Sequence, residues 1–396
     1  MKYAVLGGSF DPVHNGHIHI ARAALDSGYD RVIFIPAYQS PFKTRSQGGS
    51  ADMRMRMLLA AIGGCRQFTV DMCEIEREGI SYTIDTIKDI YNRYVPEGKP
   101  GLIIGDDIAC SFDQWKNAEE LASLTDILIA RRLNSANPDF SFSHTCIANS
   151  IISISSEQLR ASIRAGSAWE EYVPPAVRAI ITKNKLYKDE SCEYGAADKN
   201  TVISAASPLP PEIEKAAFAM LDVKRFLHSR NVALHSADLC ARYGLPPEKG
   251  YCAGIAHDIC KGLTDDEFFR LASCDGLPIT ELEKTKPGML HGRAAAVLLR
   301  TAFKVCDNDI LEAVRLHTSG KCGMGPLAQI VYLADKIEAG RRTVDRHLRE
   351  LAFGRPPFPP LETLFAEVLR ATADYLMERG LELAPETLEL LTPFDR

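Results

Sequence analysis

The sequence predicts a doubly wound, parallel α/β domain over residues 1–188 and a separate all-α domain over residues 212–396. In the first half, apolar strands alternate with helical stretches, which is typical of a parallel sheet with helices on both faces. In the second half, only helical patterns follow one another. Between the halves lies a polar stretch rich in Ser, Pro and Gly, so we expect a linker over residues 189–211. The length of 396 residues agrees with two or three domains.

The composition is that of an ordinary globular protein, with 46% hydrophobic and 25% charged residues. The net charge of −6 and the lack of a basic stripe argue against a nucleic-acid partner. Eleven cysteines without a Cys-x-x-Cys pair indicate reduced thiols rather than a disulfide framework or a cysteine zinc site. Neither a signal peptide nor an apolar run of roughly 18–20 residues is visible, so we expect a cytoplasmic protein without a membrane partner.

Apolar runs place the strands, and helical periodicity places the helices. The predicted strands are Lys2–Leu6, Arg31–Pro36, Phe68–Asp71, Gly101–Ile104 and Ile127–Ala130. The helices predicted among them are Met53–Ile62, Thr83–Tyr94 and Ala118–Ser123. The helices predicted in the second domain are Glu212–Tyr243, Lys249–Lys261, Asp265–Ser273, Gly292–Phe303, Asp309–His317, Leu327–Gly340 and Leu361–Arg379.

The segment after the first strand carries the strongest functional signal, Gly7-Gly8-Ser9-Phe10-Asp11-Pro12-Val13-His14-Asn15-Gly16-His17. Its first two glycines let backbone amides come close to a ligand. His14 and His17 are three residues apart and share one face of the next helix. A helix start has free amides and a partial positive charge, which favour phosphate. We therefore expect this segment to bind a polyphosphate.

Other segments at strand ends and helix starts fit the same ligand. Ser155 and Ser156 begin a helix with Arg160 close by, and hydroxyl groups with a guanidinium group form a second phosphate site. Lys43 follows one strand end, and Gly105-Asp106 closes another. Ser155 also has a simpler interpretation as a helix cap.

The His-x-Gly-His motif resembles that of the nucleotidyltransferase superfamily. From residue 1 to about residue 188 the chain resembles one of its families, bacterial nicotinate-nucleotide adenylyltransferase. The further matching parts are Glu78–Thr86 with Tyr82 and Thr83, Ile104–Asp107 followed by Phe112 and Trp115, and the tail Val173–Tyr187. One position departs from the family, since Glu157 stands where a Thr usually follows the two serines. A carboxylate there is compatible with bound phosphate only if it faces away.

The resemblance implies transfer of AMP from ATP to nicotinate mononucleotide, with Mg²⁺ held mainly by the ATP phosphates. His17 would contact the α-phosphate and His14 the triphosphate. Lys43 and Arg160 would neutralise the leaving pyrophosphate. Trp115 would stack on the nicotinate ring, or would serve only as a core residue. The expected ATP and substrate contacts also include Gly7, Gly8, Ser9, Phe10, Tyr82, Thr83, Gly105, Asp106, Ser155 and Ser156.

The second domain carries imidazole and carboxylate side chains that suit transition-metal ions such as Fe or Mn. They are His228, His257, Asp258, His291, His317 and Asp335. Any one of these histidines could be structural when taken alone. Together the six residues predict a two-metal site that activates water and holds a phosphoryl group.

The order of these residues along the chain resembles the order of the metal ligands in the HD phosphohydrolase superfamily. Over about residues 212–351, the surrounding residues resemble the symmetrical bis(5′-nucleosyl)-tetraphosphatases of HD type. This resemblance implies hydrolysis of diadenosine tetraphosphate to two ADP, with Asp258 bridging the ions. Lys261 would meet substrate phosphate, or would be an ordinary surface residue. His235 and His347 lie outside the series of ligands and are expected to be structural.

Alternative functions remain for both domains. The first domain could adenylylate nicotinamide mononucleotide or phosphopantetheine, although Tyr82, Thr83 and Trp115 favour a pyridine nucleotide. The second domain could hydrolyse another nucleotide or act as a nucleotide sensor. A sensor, however, has no need for six metal ligands.

Overall fold

The structure, a computed structural model, describes residues 1–39, 49–132, 140–152, 154–188 and 211–392. The chain divides into two units, Met1–Ala205 and Ala206–Arg396, each with its own hydrophobic core. Of the predicted linker only Pro211 is described, as the first residue of a helix. Within these described ranges, no helix has both the length and the apolar composition needed to cross a bilayer.

A sheet of six parallel strands forms the centre of the first unit. The strands are β1 (Tyr3–Gly8), β2 (Arg31–Pro36), β3 (Phe68–Val70), β4 (Gly101–Gly105), β5 (Asp126–Ala130) and β6 (His144–Ile147). Their order in the sheet is β3-β2-β1-β4-β5-β6, which confirms the predicted doubly wound fold. Ligands of such sheets bind at the carboxyl ends of the strands, in the crevice where the strand order reverses. Here that crevice lies between β1 and β4.

Burial explains which strands could be predicted. All six residues of β2 are buried, as expected for an apolar strand covered on both faces of a parallel sheet. The sequence analysis missed β6 at the sheet edge. Three of its four residues are exposed, so β6 lacks the apolar run that marks the other strands.

Helices follow the strands along the chain of the first unit. They are α1 (Asn15–Asp26), α2 (Ala51–Ile62), α3 (Cys73–Arg77), α4 (Thr83–Tyr94), α5 (Asp106–Ala109), α6 (Ala118–Leu124), α7 (Ser156–Ala165) and α8 (Pro175–Lys183). The prediction for α4 agrees at both ends. Helix α2 begins before the predicted Met53, because the Ser50 hydroxyl accepts a hydrogen bond from the Met53 N–H at 3.3 Å and caps the helix.

Every regular element of the second unit within residues 211–392 is a helix, which confirms the predicted all-α domain. Its helices are α9 (Pro211–Met220), α10 (Val223–Arg242), α11 (Pro247–Ala256), α12 (Asp265–Ala272), α13 (Glu281–Thr285), α14 (His291–Thr301), α15 (Asn308–Leu316), α16 (Pro326–Ile337), α17 (Arg346–Phe353), α18 (Leu361–Glu378) and α19 (Pro385–Leu391). The longest of them, α10, packs against α11 and α16.

All seven predicted helices of this unit end at least one residue earlier than expected, and two of them differ in ways that matter for the fold and the site. The long helix predicted over Glu212–Tyr243 is divided into α9 and α10, because the Asp222 carboxylate accepts the Arg225 N–H at 2.9 Å and starts a new helix. Helix α11 ends at Ala256, so His257 and Asp258 lie in the turn that follows it.

We expect Gly254→Ala to destabilise the second unit by about 1–3 kcal/mol, the usual cost of overpacking a core. A Cβ at Gly254 would lie 2.5 Å from the Ala233 Cα of α10. This contact is with the backbone, which cannot turn away as a flexible side chain could. Gly262→Ala is the control, since its Cβ would make only an ordinary 3.7 Å contact. Thermal unfolding followed by circular dichroism measures the effect. Equal stability of the two variants would show that α10 and α11 can separate without cost.

Candidate functional sites

The first histidine pair lies at the start of α1, just beyond the end of β1. His14 precedes the helix and His17 is its third residue. Their ring centroids are 3.8 Å apart, and the His17 Nδ1 accepts the His14 backbone N–H at 3.2 Å. A Cβ at Gly16 would lie 3.0 Å from the His14 ring. The glycine between the two histidines therefore leaves the space that this ring needs.

The imidazole of His14 is buried, with 2% of its surface exposed, and neither ring nitrogen has a hydrogen-bond partner. Burial, together with the nearby positive charge of Arg132, lowers the pKa of His14 to about 3. The ring is therefore neutral at neutral pH, and its single N–H is available to donate to an anionic oxygen.

The glycine segment beside these histidines is open at Gly7 and tightly packed at Gly8. Nothing lies within 4 Å of a Cβ placed at Gly7, whereas a Cβ at Gly8 would come to 3.1 Å from the Phe10 ring. Phe10 is fully buried, has a left-handed φ of 47°, and packs against His17 with centroids 5.0 Å apart. The carbonyl of Ser9 accepts a hydrogen bond from Arg54 at 2.8 Å.

Two residues expected at phosphate, Ser156 and Arg160, lie against this same segment. The Ser156 hydroxyl donates to the Pro12 carbonyl at 2.9 Å, and the Arg160 guanidinium donates to the Asp11 carbonyl at 2.6 Å. The structure thus brings both residues to the histidine segment, and their hydrogen bonds support its backbone.

Asp11 connects the segment to distant parts of the unit. Its side chain is 1% exposed, and one oxygen accepts the Tyr187 hydroxyl at 2.7 Å and the Gly49 N–H at 3.0 Å. The other oxygen lies 3.9 Å from Arg160. Sequence reasoning assigned no role to Asp11, Tyr187 or Arg54, although the first two stand within the segments that carried the family resemblance.

Ser155 caps α7, as its simpler interpretation predicted. Its hydroxyl accepts the Gln158 N–H at 3.1 Å, and the Gln158 side chain accepts the Ser155 N–H at 2.8 Å. Glu157 is exposed on the first turn of the helix. Lys43 lies outside the described residues.

The end of β4 forms the other side of the crevice. Asp106 follows Gly105 and accepts the Arg132 backbone N–H at 2.8 Å. The Arg132 side chain forms an ion pair with Asp107 at 2.9 Å. Arg132 also contributes to the low pKa of His14, so its charge reaches the histidine pair. Sequence reasoning missed Arg132, which stands two residues beyond β5 without a recognisable motif.

The residues expected at the pyridine ring lie on neighbouring segments. Tyr82 precedes α4, and Thr83 is the first residue of that helix. The ammonium group of Lys116 lies 4.4 Å from the centroid of the Tyr82 ring. Trp115, directly before Lys116, is half-buried and packs on Phe112 with centroids 5.1 Å apart.

In the second unit, the six predicted metal ligands converge. Asp258 lies between two groups of histidines, since its Oδ1 is 3.0 Å from the His291 Nε2 and 3.6 Å from the His317 Nε2. Its Oδ2 is 3.7 Å from the His257 Nε2. The Oδ1 of Asp335 lies 3.0 Å from the His228 Nε2 and 3.8 Å from the His257 Nε2.

Three of these histidines are held in the same way, each by the carbonyl three residues earlier. The Nδ1 of His257 lies 2.7 Å from the Gly254 oxygen, that of His291 is 2.6 Å from the Gly288 oxygen, and that of His317 is 2.8 Å from the Val314 oxygen. A carbonyl can only accept, so Nδ1 carries the proton in each ring. Each Nε2 then presents a lone pair to the cluster.

These lone pairs suit a bound cation. The Nε2 atoms of His291 and His317 are 2.9 Å apart, and two bare nitrogens at that distance repel each other. The Nε2 of His257 is fully buried without a hydrogen-bond partner. Imidazole nitrogens and carboxylate oxygens are the donors that divalent transition metals prefer. The residues therefore fit a divalent metal site.

Positive side chains surround the two carboxylates. Lys336 and Arg341 each lie 2.6 Å from an Asp335 oxygen. Burial acts to raise the pKa of Asp335, but these cations and His228 outweigh it and hold the pKa well below its usual range. Lys261 lies 3.7 Å from Asp258 and 3.1 Å from a ring nitrogen of His291, so the structure brings it to the cluster.

Two further residues of this site were missed. Thr318 has its hydroxyl 3.3 Å from the Nε2 of both His291 and His317. Glu338 lies with its carboxylate 3.2 Å from the His228 Nδ1, and its position three residues after Asp335 was the available signal. His235, which was expected to be structural, is buried with its Nδ1 2.7 Å from the Asn231 carbonyl oxygen. His347 is exposed on α17.

Two family models match the chain in the order of its units. Residues 5–162 match the cytidylyltransferase-like family, and residues 225–340 match the HD domain. The chain thus combines a nucleotidyltransferase domain with an HD domain of the metal-dependent hydrolase type.

Relatives define the first domain more closely. It is 38% identical over 203 residues to a probable nicotinate-nucleotide adenylyltransferase of Treponema pallidum, covering 48% of this chain and 100% of that protein. The chain therefore belongs, through its first unit, to the nicotinate-nucleotide adenylyltransferase family. A Mycoplasma genitalium protein named as a probable nicotinate-nucleotide adenylyltransferase/Ap4A hydrolase is 28% identical over 345 residues, covering 86% of this chain and 88% of that protein. A Clostridium acetobutylicum crystal structure, described as a predicted HD superfamily hydrolase involved in NAD metabolism, is 27% identical with a TM-score of 0.42, covering 46% of this chain and 94% of that one.

The low pKa of His14 makes the first unit less stable in acid. The unfolded chain binds a proton at His14 below about pH 6.5, whereas the folded chain binds it only near pH 3, so stability is lost as the pH falls through this interval. Between about pH 7 and about pH 5 we expect a loss of about 2 kcal/mol that His14→Gln does not show.

Urea unfolding followed by tryptophan fluorescence measures this difference, because both tryptophans, Trp115 and Trp169, lie in the first unit. The His14→Gln variant at each pH is the control for all other titrating groups. Equal losses in the two proteins would mean that His14 takes up its proton in the folded state.

Proposed function

We propose that this chain is a bifunctional enzyme that acts on adenine nucleotides, with residues 1–188 and 212–396 as its two catalytic domains. The first domain transfers AMP from ATP to nicotinate mononucleotide and releases deamido-NAD and pyrophosphate. The second hydrolyses diadenosine tetraphosphate to two ADP. The relationship to the Mycoplasma genitalium protein carries this proposal, since that protein's name joins both activities and the similarity spans 86% of this chain.

In the first reaction, a phosphate oxygen of nicotinate mononucleotide attacks the α-phosphorus of ATP, and the bond to pyrophosphate breaks in line with the attack. Such a transfer depends on positioning and on stabilising negative charge. Neutral His14 donates a hydrogen bond to the triphosphate, and His17 contacts the α-phosphate. Lys43 and Arg160 neutralise the leaving pyrophosphate, and Mg²⁺ arrives with ATP.

The remaining contacts divide between the two substrates. The open position of Gly7 supports close approach of ATP to the backbone at Gly7, Gly8, Ser9 and Phe10. Gly105, Asp106, Ser155 and Ser156 bind the nucleotides from the neighbouring segments. Tyr82, Thr83 and Trp115 bind the pyridine nucleotide. The contact of Lys116 with Tyr82 supports this, because it places the segment that carries Trp115 beside Tyr82.

In the second reaction, the six clustered residues would hold two transition-metal ions, Fe or Mn. When bound, such ions supply an activated water and polarise a phosphoryl oxygen. The place of Asp258 between the two histidine groups supports its role as the bridging ligand. Lys261, Lys336 and Arg341 supply the positive charge that a polyphosphate chain requires.

The cysteines support a cytoplasmic location for both reactions. The ten cysteines within the described ranges are all free thiols. Free thiols persist in a reducing compartment.

We expect the two activities to be lost separately. His17→Ala lowers deamido-NAD formation roughly 10²-fold or more, the usual effect of removing one donor to developing charge, and leaves ADP release unchanged. Asp258→Ala abolishes ADP release and leaves the first reaction unchanged. Product analysis of the full chain uses ATP, nicotinate mononucleotide and Mg²⁺ in one mixture, and diadenosine tetraphosphate with Fe²⁺ or Mn²⁺ in the other.

Two exposed residues provide the controls, His19→Ala on α1 and Asp265→Ala at the start of α12. Tight binding of diadenosine tetraphosphate without ADP release would make the second unit a sensor. Release of other products from other phosphate esters would assign it a different substrate.

Trp115→Ala tests the acceptor. Stacking of an aromatic side chain on a base contributes about 1–3 kcal/mol, so we expect the KM for nicotinate mononucleotide to rise roughly 10–100-fold while the KM for ATP stays constant. Trp115→Phe keeps an aromatic ring and should be affected less. Steady-state kinetics with nicotinate mononucleotide, nicotinamide mononucleotide and phosphopantetheine are compared in parallel. Faster turnover of phosphopantetheine would contradict the proposed acceptor.

A further inference from the structure

His228 is held differently from the other histidines of the metal cluster. It lies in the interior of α10, so no helix end offers its ring a free carbonyl. Its Nδ1 instead lies 3.2 Å from the Oε1 of Glu338. The Nδ1 atoms of His257, His291 and His317 all face neutral backbone carbonyls. Thus one histidine of the cluster has its Nδ1 beside a carboxylate, whereas the other three have theirs beside a backbone carbonyl.

The surroundings of Glu338 fix this carboxylate in place. Glu338 is 2% exposed, and its Oε2 accepts the Asn231 amide at 3.1 Å and the Gly340 N–H. The buried Arg349 guanidinium donates to the Glu338 carbonyl at 3.0 Å. Every one of these neighbours of the side chain donates a hydrogen bond, and an ionised carboxylate, which only accepts, satisfies them all.

The contact between His228 and Glu338 lies at one end of the cluster, and the charges there matter. This end is formed by His228, His257 and Asp335. The acidic side chains there are Glu338 and Asp335, and the basic ones besides His228 are Lys336 and Arg341. Glu338→Gln removes one of these two negative charges and so weakens the attraction of this end for a divalent cation. A carboxylate behind a histidine also raises its basicity as a ligand.

We infer that Glu338 is a positioning residue that acts through His228 on only one of the two cations, the one at this end. The inference rests on the proposed metal-dependent function. The cation at the opposite end, held by Asp258, His291 and His317, has no carboxylate behind its histidines and does not depend on Glu338.

Mn²⁺ binding to the purified full chain tests this inference, with free Mn²⁺ followed by electron paramagnetic resonance at one fixed pH. We expect wild type to bind two ions in two steps. In Glu338→Gln one step should weaken roughly 10–100-fold, while the other is unchanged. Glu214→Gln is the matched control, because Glu214 is also buried in this unit but faces Arg230. Both of its steps should equal those of wild type.

Equal weakening of both steps, or of neither, would overturn the role of Glu338 and leave the proposed function intact. Absence of Mn²⁺ binding by wild type would instead overturn the proposed function itself.

A second experiment uses only the wild-type protein, so its result does not depend on whether a variant folds. In the Zn²⁺-loaded protein, the Nδ1 proton resonance of His228 should lie downfield of those of His257, His291 and His317, since it alone donates to a carboxylate. Coincident resonances would contradict the inference.

Discussion

Helix ends determine how the histidines of both sites are held. The first N–H groups and the last carbonyls of a helix lack hydrogen-bond partners within the helix. Here imidazole nitrogens act as partners for some of these groups. His17 accepts the N–H that opens α1, whereas His257 and His317 donate to carbonyls in the last turns of α11 and α15. Each bond orients one ring and leaves its other nitrogen for a ligand. His228 lies within a helix, and there the carboxylate of Glu338 takes the place of a helix end.

The histidine segment of the first unit depends on residues far away in the chain. Arg54 bonds to the carbonyls of Ser9 and Ala37, and Tyr187 and Arg160 hold Asp11. These bonds fix the backbone of the segment and the side chain of Asp11 from three different parts of the unit.

Local patterns allowed much of this protein to be predicted. The parallel strands were recognised because burial on both faces demands continuous apolar runs, and the exposed β6 was missed for the same reason. The six candidate metal ligands were predicted from residue type and order, and the structure brings them together. Arg132 was missed because it acts across the crevice on His14 and has no motif of its own. Glu338 was missed because its position three residues after Asp335 does not show that its carboxylate contacts His228 on a distant helix.

Residue type and spacing alone predicted the two folds, and they indicated the histidine pair of the first unit and the candidate metal ligands of the second, since periodicity and donor chemistry can be read along a chain. Only the tertiary structure decided that His14 is uncharged and without a partner, that Asp258 lies between two groups of histidines, and that one imidazole of four has a carboxylate behind it. These properties follow from depth of burial and from contacts between helices far apart in sequence. Neither the burial of a side chain nor the distance between two such helices can be read from the sequence alone.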